Sequence, residues 1–572
     1  MVQKLKHSIL ALPVNFSCTS VRLSIVSAIF ITIANNGKLY SALSDCLNLG
    51  SLSGSIFLIT VYFALSAVLA VLFMTLGNRF SLKPIIIGMR LSSAAMSYFT
   101  VELGVVFDTE MLNSILENVR DQNSSEALEL LSLPFLAHVA ILGLLPTWVV
   151  VRVDLQRTSL LREVLARAGY CGLILSVLAV SIFVNLKDIS YIARKNRSLK
   201  VYVTPTYGID SLRKLVSAWL TPETEFEIRG EDAVHVEDTD TRTVGIMVVG
   251  ETSRADHWSL NGYSRPTNPL LSKRELFNFT EFQASGTSTA YSVPCMFSLL
   301  PQSKFTKAAA RRQSNVLDVI DYAGVEVHWI DNNSSSKGVA DRLPVRNLLK
   351  QHDANSRFAV GNTYYDEVLL EALTPLLDES ESDLLVVLHM MGSHGPAYYL
   401  RCPPEQIVFS PSCQTNAPQN CSDELLINAY DNTIVYTDYV LDKLIELLDE
   451  RSGSFESFVF YASDHGESLG ENGVYLHGLP DFLAPSAQTH VPALLWLSDS
   501  YNQNHAIESA KLGAGVNKHY SHDCISHTLL SLLDIRTSEY IADLDLLHDA
   551  KPQPSILRVQ DSDQVRDGLP TH

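Results

Sequence analysis

A turn of small and hydroxyl residues, Gly286 to Ala290, runs into an apolar stretch from Val293 to Leu300. That pattern reads as a tight turn feeding the first turn of a buried helix. Unpaired backbone N–H groups and the positive end of the helix dipole stabilise a phosphate at such a point. Thr287 and Thr289 are therefore candidate nucleophiles. A hydroxyl before an apolar run is more often a plain N-cap, so the rest of the chain must supply an activator. Glu251, Asp464 and His465 offer one. Two carboxylates and an imidazole suit Zn²⁺ with one position left for a nucleophile or a substrate oxygen. A threonine hydroxyl is a poor nucleophile at neutral pH, and coordination to zinc lowers its pKa.

His394, His477 and Lys337 form a second set. Together they could bind a phosphoryl group or a second zinc during turnover, or protonate a leaving oxygen. Lys337 would neutralise phosphate charge. Glu467 would orient one of these groups or complete a second metal site.

These residues fall just past the ends of apolar strands. Glu251 follows Val244–Val249. Asp331, Asn333 and Lys337 follow Val325–Ile330. His394 follows Leu384–Leu388, and Asp464 and His465 follow Ser457–Tyr461. A further strand is expected at Val491–Leu497, and helices at Asn315–Ala323, about Tyr364–Leu377, and from Ser422 to about Glu450. Strands alternating with helices, the strands unbroken in apolar character, predict a mostly parallel sheet covered on both faces. Open α/β sheets bind ligands at the carboxyl ends of their strands, so all four clusters should meet at one edge.

The first third of the chain is different. The chain has 572 residues, 47% of them hydrophobic, and its mean hydropathy is +0.11. The apolar residues crowd into five stretches before Lys187: about Val21–Leu43, Ser55–Leu76, Pro84–Val106, Leu133–Val151 and Ala168–Leu186. Each approaches the roughly 20 residues that cross a bilayer. The first is interrupted by Asn35 and Asn36. It lacks a small-residue cleavage site, and four more spans follow it, which argues against a signal peptide. Lys4, Lys6, Arg79, Lys83, Arg152, Arg157, Arg162 and Arg167 gather on one side, which places the N-terminus in the cytoplasm and everything after Leu186 outside the inner membrane. Lys187 to Lys200 interleave cations with Ile189, Tyr191, Ile192 and Leu199, as in a basic helix lying on the membrane surface. Thr221–Arg242 is an acidic linker. The expected organisation is a membrane domain over 1–186, a juxtamembrane helix and linker over 187–242, a periplasmic catalytic domain over 243–550 and a polar tail over 551–572. The net charge of -19 argues against nucleic acid as a partner. A monomer is the simplest expectation.

The wording from Gly286 to Ser298 closely resembles the nucleophile motif of the bacterial phosphoethanolamine transferases, the family of the lipid A-modifying, polymyxin-resistance enzymes. Gly250 to Arg254 looks like the family's first metal motif, Ser463 to Gly466 like its last, and Asn333, Ser334 and Lys337 like its phosphate-contacting segment. His394 and His477 match its substrate-side histidines. The resemblance implies an alkaline phosphatase and sulfatase-like fold and a two-step transfer. Thr289 would attack phosphatidylethanolamine, and the phosphoethanolamine group would pass on to lipid A or another lipopolysaccharide acceptor. On the loop where relatives hold the donor headgroup, this sequence carries Ser114, Asn118 and Glu126. Two alternatives use the same parts: a membrane-anchored phosphatase or sulfatase-like hydrolase, and transfer to core sugars or periplasmic glucans.

The resemblance also bears on the eight cysteines. Cys413 and Cys421 match a family disulfide, suited to an oxidising periplasm. Cys295 matches a family cysteine whose partner position is Ser285 here, and Ser336 and Ala340 stand where some relatives carry a further pair. Cys295, Cys402 and Cys524 are left as an odd set in which a Cys295–Cys402 bond is one option.

Overall fold

Predominantly apolar helices of about 20 residues or more have the length of a hydrocarbon layer. The computed structural model, which describes residues 17–46, 52–109, 111–112, 115–116, 131–185, 197–220, 225–236 and 241–551, has three such helices. They are Gly54–Leu76, Leu133–Arg152 and Leu160–Val184. A fourth candidate is a bent pair, Ser20–Ala34 and Gly37–Ser44, which meet at 59°. The bend sits at the two asparagines that interrupt the first apolar stretch. Asn36 leaves the helix ladder to donate to the Thr204 carbonyl at 2.8 Å and to accept from the Thr204 N–H at 2.8 Å.

Five spans were expected; among the described residues three helices qualify, or four with the bent pair. The third expected span is the helix Leu82–Tyr98, which has 17 residues and continues into a π-turn over Phe99–Leu103. It carries the buried Arg90, whose guanidinium donates to Ser27 at 3.2 Å and lies 4.7 Å over the Phe30 ring. Val21, Ile31, Phe73 and Ile86 form the apolar core around it.

The expected basic helix over 187–200 falls largely outside the described residues, as do Ser114, Asn118 and Glu126 and the tail beyond Lys551. Arg197–Tyr202 is a short 3-10 helix, and Thr206–Leu220 is an α-helix that the sequence reading did not foresee.

The chain divides into two compact units. The first comprises Met1–Leu116, Ala127–Pro222 and Gly470–Leu483; the second comprises Glu117–Glu126, Glu223–Leu469 and Ala484–His572. Within the first unit, Leu479 and Val474 of the segment Gly470–Leu483 pack with Val106, Val201 and Tyr207.

The second unit is built on one eight-stranded sheet. Its strands are β1 (Thr243–Gly250), β2 (Phe277–Gln283), β3 (Glu326–Asp331), β4 (Val345–Asn347), β5 (Leu384–His389), β6 (Glu456–Ser463), β7 (His490–Leu497) and β8 (His519–Ser521). The order across the sheet is β8-β2-β7-β6-β1-β5-β3-β4. β7 runs antiparallel to both its neighbours, and every other pair is parallel, so the sheet is mixed. Every residue of β1, β5 and β6 is buried. That is why these strands are continuous apolar runs: helices cover both faces of the parallel centre.

Five helices of this unit matter for the site: α1 (Thr289–Met296), α2 (Val316–Tyr322), α3 (Glu367–Glu379), α4 (Asp423–Asp449) and α5 (Asp523–Leu532). α2 begins with a capping box: the Asn315 side chain accepts from the backbone of Leu317 and Asp318 while Asp318 accepts from the Asn315 N–H. One face of the sheet packs on α1, α2 and α5 through Val293, Met296, Leu317, Ile320, Ile525 and Leu529.

Candidate active site and metal centre

β1 and β6 are paired in register from Thr243 with Glu456 to Gly250 with Ser463. Each chain leaves the sheet at the same level, so Glu251 and Asp464 emerge side by side. Glu251, Asp464 and His465 then bring one ligand atom each to within 4.8 Å of one another, and all three are 0% exposed. His465 Nδ1 faces the Gly466 carbonyl at 2.9 Å. A carbonyl only accepts, so Nδ1 carries the proton and Nε2 presents a lone pair. That lone pair lies 3.4 Å from Asp464 Oδ2 and 3.6 Å from Glu251 Oε1. Asp464 Oδ2 has no hydrogen-bond donor among the described residues. Three converging acceptors with a double negative charge, shut away from water, repel one another unless a cation sits between them. The set therefore fits a divalent metal, and oxygen and imidazole ligands in this number fit zinc.

Thr289 stands at the same point. It is the first residue of α1, after Ser288 as N-cap. Its hydroxyl lies 3.1 and 3.2 Å from the two Glu251 carboxylate oxygens and 3.3 Å from His465 Nε2. Thr287 is buried in the preceding turn.

The loop after β3 supplies the next layer. Asn333 donates through Nδ2 to Glu251 Oε2 at 2.8 Å and to the Met390 carbonyl at 2.9 Å. Its own Oδ1 accepts from the Ser334 N–H at 2.6 Å, and the Lys337 ammonium donates to the Ser334 hydroxyl. A hydrogen-bonded line thus runs from Lys337 through Ser334 and Asn333 to Glu251. Asp331 accepts from the Asn333 N–H at 2.7 Å and lies 3.3 Å from His389 Nδ1.

His394 sits after β5 in a loop tied to the Glu251 backbone: the Ser393 N–H donates to the Glu251 carbonyl at 3.0 Å. Gly392 has φ +51°, and a Cβ there would lie 2.8 Å from the Glu251 carbonyl oxygen, so only glycine allows this approach. Glu467 is buried beside Tyr398, whose phenol is held well above its ordinary value by burial first and the Glu467 charge second. His477 belongs to the segment Gly470–Leu483, which groups with the membrane helices and not with the sheet.

Backbone strain marks the site as well. Thr252, directly after Glu251, has φ 50°, and Lys337 has φ 53°. A β-branched residue in this left-handed region costs on the order of 1–3 kcal/mol. Thr252 is held there by its N–H donating to Asp464 Oδ1 at 3.2 Å and by its carbonyl accepting from Tyr430 at 2.7 Å.

Two functional supports were missed in the sequence. Asp366, just before α3, is fully buried and accepts from the Met391 N–H, the Gly392 N–H and Asn332, each at 2.8 Å. Burial raises its pKa against these three bonds. His522, just before α5, is 0% exposed. Its Nδ1 accepts from the Ser285 N–H at 3.0 Å, and its Nε2–H donates to the Ser463 carbonyl at 2.9 Å. One ring thereby ties the nucleophile turn to the strand end that carries Asp464. Burial holds its pKa down to about 4, so the ring is neutral. A histidine with no companion motif gives no sequence signal for this role.

The Cys413–Cys421 disulfide is present. Cys295 and Cys402 do not pair; both are free and buried, as is Cys524. Cys295 instead faces Ser285, and burial pushes its thiol up to about 12.

Comparison with known proteins gives one consistent result. Residues 244–535 match the Sulfatase family, and residues 65–220 match the family described as Phosphoethanolamine transferase EptA/EptB. The chain is 36% identical over 536 residues to phosphoethanolamine transferase EptA of Escherichia coli K12, covering 92% of this chain and 96% of that one. It is 34% identical over 529 residues to phosphatidylethanolamine transferase Mcr-1 of Escherichia coli, covering 90% and 95%. The solved structure of the integral membrane lipooligosaccharide phosphoethanolamine transferase A from Neisseria meningitidis superposes with a TM-score of 0.90 at 31% identity, covering 94% of this chain and all of that one.

Proposed function

Because the chain belongs to the bacterial phosphoethanolamine transferase family, we propose that it moves phosphoethanolamine from phosphatidylethanolamine to lipid A in two steps through Thr289. The observation that carries this reading is the Thr289 hydroxyl poised on Glu251 and His465 at the start of a helix. The names of two relatives matched over more than nine-tenths of their length support the transferred group and the donor, and the lipooligosaccharide transferase of Neisseria meningitidis supports the acceptor class.

Glu251, Asp464 and His465 would hold a zinc ion, whose positive charge would lower the pKa of the Thr289 hydroxyl. Thr289 Oγ1 attacks the phosphorus of the donor, the bond to the diacylglycerol oxygen breaks, and that oxygen leaves with a proton. His394 and His477 are the proposed proton donors. In the second step an acceptor phosphate oxygen attacks the same phosphorus and Thr289 leaves. Asn333, Ser334, Lys337 and Glu467 hold the phosphoryl group, and Glu467 with His394 and His477 would hold a second zinc. Ser114, Asn118 and Glu126 hold the donor headgroup.

The setting is an inner membrane crossed five times, with the N-terminus in the cytoplasm and the catalytic unit, residues 243–550, in the periplasm. Adding a positive amine to a lipid A phosphate weakens binding of cationic peptides such as polymyxin. The test is expression in a polymyxin-sensitive host. Mass spectra should show lipid A heavier by one phosphoethanolamine group, absent in Thr289→Ala, and a reporter fused after Leu220 should be active only outside the inner membrane. Unmodified lipid A beside a modified core sugar or glucan would refute the acceptor, and Thr289-dependent donor hydrolysis with no modified acceptor would refute transfer.

A further inference from the structure

The helix Thr206–Leu220 belongs to the unit that holds the membrane helices. Its start is tied to one end of that bundle. Thr204, two residues before it, is bonded to Asn36 through both its backbone groups. Gly208 meets Met96, in the last turn of the helix Leu82–Tyr98, so closely that a Cβ there would lie 2.8 Å from the Met96 sulfur. Tyr98, at the end of that helix, faces Ser132 at 3.1 Å, and Ser132 is the N-cap of the membrane-long helix Leu133–Arg152. Thr206–Leu220 therefore begins at the level where the membrane helices end.

At about 3.6 residues per turn its side chains fall into three sectors. Ser211 and Leu215 face inward and are buried. Tyr207, in the first turn, packs against the cluster of Val106, Val201 and Leu479, so the helix is held along one side. Ile209, Leu212 and Val216, at i, i+3 and i+7, form an apolar stripe beside the buried sector and are 41%, 50% and 40% exposed. Asp210, Arg213 and Lys214 occupy the third sector, on the far side of the stripe. There Asp210 pairs with Arg213 at 2.8 Å and with Lys214 at 3.0 Å.

An amphipathic helix in water turns its apolar side toward its own protein; this one has a second apolar side turned away. That stripe is as open as Val177 and Ile182 on the outer face of the membrane-long helix Leu160–Val184. Three side chains fall well short of the roughly 20–30 residues a side of a specific protein interface. Protein on one side, apolar groups on the next and charges on the third is the order that suits a helix lying flat at the border of a bilayer. Long Arg and Lys chains reach from there to water.

We infer that Thr206–Leu220 lies flat in the lipid–water interface of the leaflet at the Tyr98–Ser132 end of the bundle. Ile209, Leu212 and Val216 sink among the acyl chains, and Asp210, Arg213 and Lys214 stand among the headgroups. On the topology proposed above this is the periplasmic leaflet. The placement rests on the unit's membrane helices crossing a bilayer and not on the transfer reaction.

Spin labels test it in the full-length protein reconstituted in nanodiscs of phosphatidylethanolamine and phosphatidylglycerol. Cys18→Ser, Cys46→Ser and Cys171→Ser form the background, since Cys295, Cys402 and Cys524 are buried and Cys413 is bonded to Cys421. Labels at Leu212→Cys and Val216→Cys should collide several-fold more often with oxygen, which concentrates in lipid, than with a water-soluble nickel chelate. A label at Lys214→Cys should show the reverse. Leu173→Cys, on the outer face of Leu160–Val184, is the hydrocarbon reference. Chelate access at Leu212→Cys and Val216→Cys equal to that at Lys214→Cys, with Leu173→Cys still in lipid, would put the stripe in water and overturn the placement alone. Labels on the stripe shielded from both probes would mean that a second copy or another part of the chain covers it, which would overturn it too. A water-exposed Leu173→Cys would overturn the membrane position of the whole unit and this placement with it.

Discussion

Replacing His522 by leucine should loosen the joint between the nucleophile turn and the strand that carries Asp464. The ring makes two bonds in a fully buried place, one to the Ser285 N–H and one to the Ser463 carbonyl. Leucine fills a similar volume and makes neither. Each orphaned backbone group costs about 1–3 kcal/mol, so the pair should cost roughly 2–6 kcal/mol of stability. Asparagine can place its amide oxygen near the position of Nδ1, and glutamine its amide nitrogen near that of Nε2, so each should restore about half of the loss. Denaturant unfolding of the detergent-solubilised protein reads this, with the buried Trp258, Trp329 and Trp496 as reporters in the sheet unit. Leucine within about 0.5 kcal/mol of wild type, or asparagine and glutamine no better than leucine, would refute the bridge.

Stability should also fall in mild acid. Burial holds both His522 and His527 down to about 4, against an ordinary value of about 6.5. Between these values the unfolded chain binds more protons than the folded one, so stability drops as pH falls through that window, by at most about 3 kcal/mol per histidine. Unfolding curves from pH 7 to pH 4 measure it, and a flat profile would contradict it. Thr289→Ala should abolish transfer with the fold intact, while Thr287→Ala should be milder; single-turnover assays with a labelled donor separate the two. Glu251→Ala and Asp464→Ala should each lose bound zinc, since each leaves only two of three ligands, and stoichiometric metal retained in both would remove the ligand assignment.

The strands β1, β5, β6 and β7 were legible because burial on both faces leaves them largely apolar, and β3 was read from Val327, Trp329 and Ile330 despite its half-buried Glu326 and His328. β2 was not: Phe277 to Gln283 alternates phenylalanine with Asn278, Thr280 and Glu281, and only two of its residues are fully buried. β8 is three residues long and has no pattern to read. At the site, the sequence identified residues that carry charge beyond a strand end, because a charge next to an apolar run is conspicuous. It could not identify Asp366 or His522, which serve the site through backbone groups and differ in no local way from loop polars. The sequence reads His477 as a site histidine, and its segment packs with Val106 and Val201 in the unit that holds the membrane helices. The bend at Asn35 and Asn36 was visible as two polar residues, but its partner, Thr204, lies far along the chain.

The free cysteines bear on how the molecule meets reducing conditions. Among the described residues the sole crosslink joins positions eight apart, Cys413 and Cys421, in the loop before α4. Closing so short a ring removes little chain entropy, roughly 2–3 kcal/mol on the loop model. Cys295, at the back of the nucleophile helix, is pushed up to about 12 and has almost no thiolate at neutral pH, so it neither attacks nor exchanges. Thiol reductants therefore slacken one surface loop and leave the wall behind Thr289 untouched.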